Sequence, residues 1–364
     1  MGTRSPLAVL LATACQAAPS ANSGFGSMPD ITIAPASSTG SGSTGVSGGS
    51  GGTTSSGGGS ASTSTGSESA DGTTTTIFDL GSETDVGDGK PAGCKGKIDF
   101  LFVVSRDANM ELVQAQLVDA FPTFVATIQA KFNDFDYHIM VVDGEPDWGL
   151  PYCTAECPKP FEKFCTLDDY PCDLLDLVTE CDQTLGAGNV FAAGDDAYNK
   201  PCAIAGGQRF LTRNQPDLTE SFTCIAQLGS SGRGWIGEAL TAAVGPQLSW
   251  PGACNEGFLR DDALLMVTLV AANWDEEGKP FGSAGTAEKW AKAVIDAKKG
   301  DANAVVMLDI GDTNCPLPED RLCEMTKMFK FHHIESILAP DYGDAFDQAT
   351  DLVEDACEGF VAPG

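Results

Sequence analysis

Apolar runs and amphipathic segments alternate along the region from Ile98 to Cys357. The first run, Ile98–Val104, is almost wholly apolar, which is typical of a strand buried on both faces of a parallel sheet. The apolar spacing that follows predicts a helix from about Asn109 to Lys131, which Pro122 is expected to kink or split. A second strand is predicted at Tyr137–Val142.

The same alternation continues after an interruption. Further helices are predicted at Ile236–Leu248, Ala287–Lys298 and Ala345–Cys357, and further strands at Ala263–Val270, Ala304–Ile310 and Glu335–Leu338. Strands that alternate with helices predict an α/β fold with a doubly wound, mostly parallel sheet and helices on both faces. Because ligands of such sheets bind beyond the carboxyl ends of the strands, the loops after Val104 and Val270 are the first candidates for a site.

A cysteine-rich segment at about 145–205 interrupts this pattern. It has no sustained periodicity, so we expect an insertion held together by disulfides. The chain has 13 cysteines, and with Cys15 set apart an even number lies between Cys94 and Cys357. An even set in an exported domain indicates up to six disulfides. Zinc is the alternative, but close pairs such as Cys153 and Cys157 lack the paired tight spacing of structural zinc sites.

The amino-terminal 93 residues predict a targeting segment and a linker. Residues 1–15 hold Arg4, an apolar run from Leu7 to Ala12 and small residues before Cys15, which is the layout of a secretion signal. The end LATAC resembles a bacterial lipoprotein box, in which the cysteine is lipidated, although Ala12 stands where such boxes prefer leucine. An ordinary cleaved signal peptide is the alternative. Residues 16–93, rich in Gly, Ser and Thr, predict a disordered tether before a folded domain at 94–364.

The net charge of the chain limits the kinds of partner that it can bind. The 364 residues include 51 Asp and Glu against 21 Lys and Arg, a formal net charge of −30. Such acidity argues against nucleic acid and against anionic membrane surfaces, whose phosphates attract basic side chains. No apolar run approaches the roughly 20 residues that a membrane-spanning helix needs, so a membrane contact is expected only through a lipid anchor.

Three oxygen-bearing side chains follow the first predicted strand. Ser105, Asp107 and Asn109 occupy alternate positions, and a turning backbone could direct all three into one space. Magnesium and calcium prefer such oxygen ligands. Ser, Asp and Asn also occur in turns and helix caps for purely local reasons, so a capped turn is the alternative interpretation.

Four stretches resemble the von Willebrand factor type A domain, and the whole resembles secreted bacterial members with low-complexity linkers. They are IDFLFVVSRDANM at 98–110, LGSSGRGWIGEALTAAV at 228–244, GFLRDDALLMVTLVAANWDEE at 257–277 and DYGDAFDQATDLVEDAC at 341–357. The resemblance implies a doubly wound α/β fold, a role in binding or adhesion and, in many members, a metal-ion-dependent adhesion site. Its Asp-x-Ser-x-Ser loop falls on Ser105, Asp107 and Asn109, its Thr on Ser230 and its last Asp near Ala272, with Asn273 and Asp275 as neighbours.

Two departures from that family pattern weaken the implied metal site. Ser105 replaces the leading aspartate and Ala272 the final one, so fewer fixed negative charges remain to compensate the desolvation of Mg²⁺ or another divalent cation. Binding is therefore expected to be weakened rather than excluded. The run Asp275–Glu277 could supply a replacement carboxylate, but in so acidic a chain we expect a solvated loop.

Signals for catalysis are weak. The chain has no Gly-x-Ser-x-Gly elbow, and Gly229–Gly234 lacks the Gly-Lys-Ser/Thr ending of a phosphate loop. The three histidines, His138, His332 and His333, are expected to have packing or surface roles. We therefore expect no enzyme but an exported, lipid-anchored binding or adhesion module in the cell envelope or on the cell surface, whose partner is a protein or surface glycan. The alternatives are an extracellular hydrolase with its site in the insertion, and a purely structural surface protein.

Overall fold

The structure is a computed structural model that describes residues 96–132, 134–155, 157, 164–276 and 282–360. These residues belong to a compact unit spanning Gly81–Gly364. The predicted signal segment with Cys15 and the predicted linker at 16–93 lie outside the described residues. No helix among the residues described is long and apolar enough to cross a membrane.

One mostly parallel sheet forms the centre of the fold. Its strands are β1 (Lys97–Val104), β2 (Asp136–Asp143), β3 (Leu211–Thr212), β4 (Leu264–Val270), β5 (Val305–Gly311) and β6 (Phe331–Ser336). They are arranged in the order β3-β2-β1-β4-β5-β6, and only β3 is antiparallel to its neighbour. Phe100 of β1 lies opposite Ile139 on one side and Met266 on the other. The predicted mostly parallel α/β sheet is thereby confirmed.

Helices cover both faces of the sheet. They are α1 (Glu111–Lys131), α2 (Pro151–Thr154), α3 (Leu218–Ala226), α4 (Ile236–Ala243), α5 (Pro246–Ser249), α6 (Ala287–Ala297), α7 (Arg321–Thr326) and α8 (Gly343–Gly359). Apolar side chains of α1, α3 and α8 pack on one face of the sheet, and those of α4, α6 and α7 pack on the other. The apolar run of β1 is buried because alternate residues enter these two cores.

Two predicted helices differ from the structure in detail, since one is not split and the other ends earlier. Pro122 does not split α1, which continues through it from Glu111 to Lys131. Packing of Phe121 and Phe124 in the core compensates the backbone hydrogen bond that proline cannot donate. Conversely, the helix predicted at Ile236–Leu248 ends at Ala243, and Pro246 begins the separate α5, since proline is favoured in the first turn of a helix.

Five disulfides connect described cysteines, which confirms the predicted framework. Cys153–Cys165 and Cys157–Cys172 lie within the insertion, whereas Cys181–Cys254 and Cys202–Cys224 attach it to the rest of the domain, and Cys315–Cys323 closes the loop before α7. Cys357 is also disulfide-bonded. Among its described residues the insertion has only short helical turns, at Pro151–Thr154, Cys172–Leu177 and Glu180–Gln183. Its order therefore depends on cross-links more than on secondary structure.

Candidate functional site

The carboxyl ends of β1 and β4 form the centre of the candidate site. The chain runs from β1 outward to β3 and then returns to β4 on the other side of β1, so the loops after β1 and β4 diverge from a topological switch point. The backbone N–H of Ser105 donates to the carbonyl of Val270 at 2.9 Å, which holds the two strand ends together.

Asp107 is the carboxylate at this centre. The Ser105 hydroxyl donates to Asp107 Oδ2 at 2.7 Å, and the side-chain amide of Asn273, from the loop after β4, donates to the same oxygen. Partial burial raises the pKa of Asp107, and the hydrogen bonds from Ser105 and Asn273 oppose that shift. The structure thus brings together two of the predicted site residues and adds Asn273, which the sequence placed only near the final family position.

The other two predicted ligands do not join Asp107. Ser230 donates its hydroxyl hydrogen bond to Asp196 Oδ2 of the insertion at 2.5 Å. Asn109 is exposed, and its side chain makes no hydrogen bond to any residue that the structure describes. The alternate spacing of Ser105, Asp107 and Asn109 therefore does not direct all three side chains into one space, because the backbone after Asp107 turns directly into α1.

Gln114 is a site residue that the sequence analysis missed. Its side chain is buried and donates to the carbonyls of Ser105 and Gly229 at 2.9 and 2.8 Å. Its carbonyl oxygen accepts from the backbone N–H groups of Leu228 and Gly229, both at 3.0 Å. One amide thus joins the loop after β1 to the loop before α4. The sequence feature that could have indicated this role is the position of Gln114 next to Val113 on the buried face of an apolar helix.

Arg106 connects the same loop to the insertion. Its side chain is 1% exposed; Nη2 donates to the carbonyl of Ala193 at 2.7 Å, and Nη1 lies 3.3 Å from Asp143 Oδ2 at the end of β2. Burial raises the pKa of Asp143, and the adjacent Arg106 guanidinium opposes that rise. A further hydrogen bond, between Tyr170 and Ser231 at 3.3 Å, also joins the insertion to the strand-end loops. The insertion is therefore attached to the strand-end loops and lies beside the site.

Asp275 corrects the prediction of a solvated acidic loop. It is 2% exposed and accepts hydrogen bonds from the Gly237 N–H at 2.8 Å and the Ser283 hydroxyl at 2.7 Å, with Arg321 Nη2 at 3.5 Å. Burial raises its pKa, whereas these donors lower it. Glu276 is partly exposed, and Glu277 lies outside the described residues. The Asp275 carboxylate accepts a hydrogen bond from the first turn of α4. It is therefore not a replacement ligand beside Asp107.

The donor set does not fit a divalent-cation site. Mg²⁺ and Ca²⁺ require about six oxygen ligands and enough negative charge to compensate dehydration. Here Asp107 already accepts from Ser105 and Asn273, and the Asp275 carboxylate of the loop after β4 is directed to Gly237 and Ser283 instead. Within the described ranges, no group of three or more His, Cys, Asp or Glu side chains could hold a metal ion.

An aromatic and charged rim borders Asp107. The Arg233 guanidinium lies 4.6 Å from the ring centroid of Trp235 and 3.6 Å from Glu145, and its side chain is 35% exposed. Gly234 separates the two rim residues; a Cβ there would lie 2.8 Å from the Ser105 hydroxyl, so a glycine is needed for this close approach. The site thus places a carboxylate acceptor close to a guanidinium donor that lies over an indole ring.

The histidines lie elsewhere. His138 is in β2, where its Nδ1 is 3.0 Å from the carbonyl of Phe258 and its ring packs on Phe210. His332 and His333 are in β6 and contact the Phe329 carbonyl and Glu335, respectively. None of the three contacts Asp107 or Arg233 in the described structure.

Comparisons with known proteins do not identify a family. No protein-family model matches the chain, and no curated protein sequence matches it. Among solved structures, proximal thread matrix protein 1 from the mussel byssus is 14% identical, with a TM-score of 0.31, 73% of this chain covered and 47% of that chain. The pilus adhesin SpaC from Lactobacillus rhamnosus GG, in an open conformation, is 11% identical, with a TM-score of 0.34 and coverages of 72% and 30%. This chain therefore spans less than half of either protein, and likenesses at these scores carry no functional argument.

Proposed function

We propose that the protein is an exported binding module of the von Willebrand factor type A kind, anchored by a lipid at Cys15, and that it contacts a protein or a surface glycan. The observation that supports the site most directly is the partly exposed Asp107 carboxylate, held by Ser105 and Asn273 where β1 and β4 end. Loops at such a switch point are the usual ligand site of an open α/β sheet.

An extracellular location is consistent with the covalent structure. Five disulfides among the described cysteines are typical of proteins that fold in an oxidising compartment. A tether of 78 residues with a Gly-rich composition would have a root-mean-square span of roughly 50 Å. Such a tether would present the binding surface away from the anchor.

We propose that recognition is direct and not catalytic. Asp107 would accept hydrogen bonds from the ligand, and Arg233 would donate to it beside the indole face of Trp235. A cation held at Asp107 is the competing mode, and it would require Asn273 to release the carboxylate. A hydrolytic site in the insertion is the less favoured alternative, because residues 145–205 contain no histidine and the buried carboxylate of Glu145 borders Arg233.

Calorimetric titration of the intact, oxidised protein distinguishes the two binding modes. Mg²⁺, Mn²⁺ and Ca²⁺ are each titrated into wild type, Asp107→Ala and the control Asp344→Ala, which removes an exposed acid of α8. Direct recognition predicts no saturable heat with any of the three proteins at millimolar ion. Saturable binding that only Asp107→Ala loses would establish the cation-dependent mode instead.

The same proteins are then applied to arrays of glycans and of purified extracellular proteins. The proposal predicts at least one ligand retained by wild type and by Asp344→Ala but weakened tenfold or more by Asp107→Ala. Equal binding by all three proteins, or no binding by wild type, would refute the assignment of this surface.

A further inference from the structure

Exposed apolar side chains are concentrated in the disulfide-stapled part of the insertion. Scattered exposed apolar residues are normal on a protein surface, whereas a concentration of them marks an interaction site. Five lie within residues 152–177, with exposures of 65, 69, 56, 39 and 56%: Tyr152, Phe164, Leu167, Leu175 and Leu177. We call these five residues, with the neighbouring acids Asp168, Asp173 and Asp176, the insertion surface.

Disulfides bring these positions together. Tyr152 and Phe164 each adjoin a cysteine of the Cys153–Cys165 bridge, whose Cα atoms are 5.2 Å apart. Their own Cα atoms are therefore at most about 13 Å apart, since consecutive Cα atoms are about 3.8 Å apart. Cys157–Cys172, with Cα atoms 5.3 Å apart, brings in the helical turn that carries Leu175 and Leu177.

The exposed side chains are not required by the local core. That core consists of Cys153, Cys165 and Tyr170, with Leu150 packed against it. The covalent cross-links order the segment before any partner binds, so less conformational entropy is lost on association. The exposed side chains of Phe164 and the three leucines thus remain available in a rigid frame.

Charge specifies the kind of partner. Residues 150–199 contain ten Asp and Glu but only two Lys and no Arg. Asp168, Asp173 and Asp176 are exposed, and none forms an ion pair with a basic residue of the described structure. The turn Asp173–Leu177 consists of two acids and three leucines. The surface therefore combines apolar contact area with a negative field.

We propose that the insertion surface binds a cationic, amphipathic segment of another protein. The partner's apolar side chains would cover Leu175, Leu177 and their neighbours, and its Lys or Arg side chains would face Asp173 and Asp176. A second copy of this chain is disfavoured by its net charge of −30, and anionic lipid is repelled by the same acids. The inference goes beyond the proposed function, because it assigns a partner to a second surface; the hydrogen bond between Tyr170 and Ser231 places the insertion beside the strand-end site.

The probe is a synthetic peptide of alternating Lys and Leu in a helical pattern, added to the intact, oxidised protein and followed by fluorescence anisotropy. Two matched peptides separate the contributions: Lys with Ser in place of Leu, and Glu with Leu. We expect saturable binding of the Lys–Leu peptide, at least tenfold weaker binding of both others, and a loss of affinity as NaCl rises from 50 to 500 mM, because surface ion pairs are screened.

Variants place the binding on the insertion surface. Leu175→Ser with Leu177→Ser should weaken the peptide at least tenfold, whereas the control Leu112→Ser with Leu338→Ser, two other exposed leucines, should not change it. Asp173→Asn with Asp176→Asn should reduce both affinity and salt dependence. Far-ultraviolet circular dichroism confirms that each variant is folded. Binding that is unchanged by the first pair, or equal for the Lys–Ser peptide, would overturn the inference.

Two further arms separate this inference from the proposed function. Asp107→Ala should leave peptide binding unchanged, because Asp107 belongs to the strand-end site. If the array ligand depends on Asp107 while no peptide binds, the inference fails and the proposed function stands. If the peptide binds while no array ligand depends on Asp107, the proposed function fails and the inference stands. Sedimentation with phosphatidylglycerol or phosphatidylcholine vesicles tests a membrane partner, and binding to either that Leu175→Ser with Leu177→Ser abolishes would also overturn the inference.

Discussion

Asp309 should make the protein less stable as the pH rises from 5 to 7. It lies in β5 with 3% exposure, near Asp320, which caps α7 by accepting from the Cys323 N–H at 2.9 Å. Burial, followed by repulsion from Asp320, raises the pKa of Asp309 to about 8, against an ordinary value of 3.8. The perturbation that tests this is Asp309→Asn, which keeps the shape of the side chain but cannot ionise.

Proton linkage gives the direction and the magnitude of the change in the free energy of unfolding with pH. Between pH 4 and pH 8 the folded protein keeps a proton on Asp309 that the unfolded chain releases, so unfolding is favoured as the pH rises. One such group costs up to about 1.4 kcal/mol of stability per pH unit, hence about 3 kcal/mol between pH 5 and pH 7. Below pH 4 both states are protonated and the penalty disappears. Burial also raises the pKa of Asp320 to about 6, which adds a smaller loss of the same sign.

Urea denaturation of wild type, Asp309→Asn and Asp344→Asn, at several pH values and constant ionic strength, measures the effect. The free energy of unfolding of Asp309→Asn relative to wild type should rise by about 3 kcal/mol from pH 5 to pH 7. The difference in the free energy of unfolding between Asp309→Asn and wild type also includes a contribution of about 1 kcal/mol from the changed hydrogen bonding, which does not vary with pH. The exposed Asp344 has no such environment, so its variant should follow the wild-type pH dependence. A relative stability of Asp309→Asn that does not depend on pH would show that the pKa of Asp309 is not raised in the folded protein.

Three other perturbations test the packing and cross-links that support the site. A Cβ at Gly237 of α4 would overlap the ring of Trp290, so Gly237→Ala should lower the free energy of unfolding by about 2 kcal/mol despite its better helix propensity, and an increase measured in urea would contradict this packing. Gln114→Leu removes the partner of the Ser105 and Gly229 carbonyls and of the Gly229 N–H, while the Leu228 N–H keeps its hydrogen bond to the Ala226 carbonyl. It should lower the free energy of unfolding by about 3 kcal/mol, whereas a thermal midpoint within 1 °C of wild type would show that the bridge is dispensable. Loss of the Cys181–Cys254 disulfide, which closes 73 residues, should cost about 4 kcal/mol in the Cys181→Ser, Cys254→Ser protein, and an unchanged urea midpoint would mean that the insertion is held by other contacts.

Apolar runs located the centre of the sheet well. The predicted Ile98–Val104 and Ala304–Ile310 differ from β1 and β5 by one residue at the ends, because both strands are buried on both faces and read as continuous apolar runs. The edge strands were harder. The predicted Glu335–Leu338 lies downstream of most of β6, Phe331–Ser336, whose residues are largely half-buried. The two-residue β3 carries no periodicity and was not predicted.

Residue type and spacing within short segments were enough to predict the buried strands, the helices that flank them, the acidic surface and the presence of disulfides. The pairing of the cysteines, by contrast, depends on the fold, since Cys181 and Cys254 are 73 residues apart. The tertiary structure decided the site. Asn273 meets Asp107 across 166 residues, Ser230 turns to Asp196, and Asp275 is buried against Gly237 and Arg321. Such pairings depend on which strand ends are adjacent and on how much water each carboxylate loses, and neither is encoded in a local pattern.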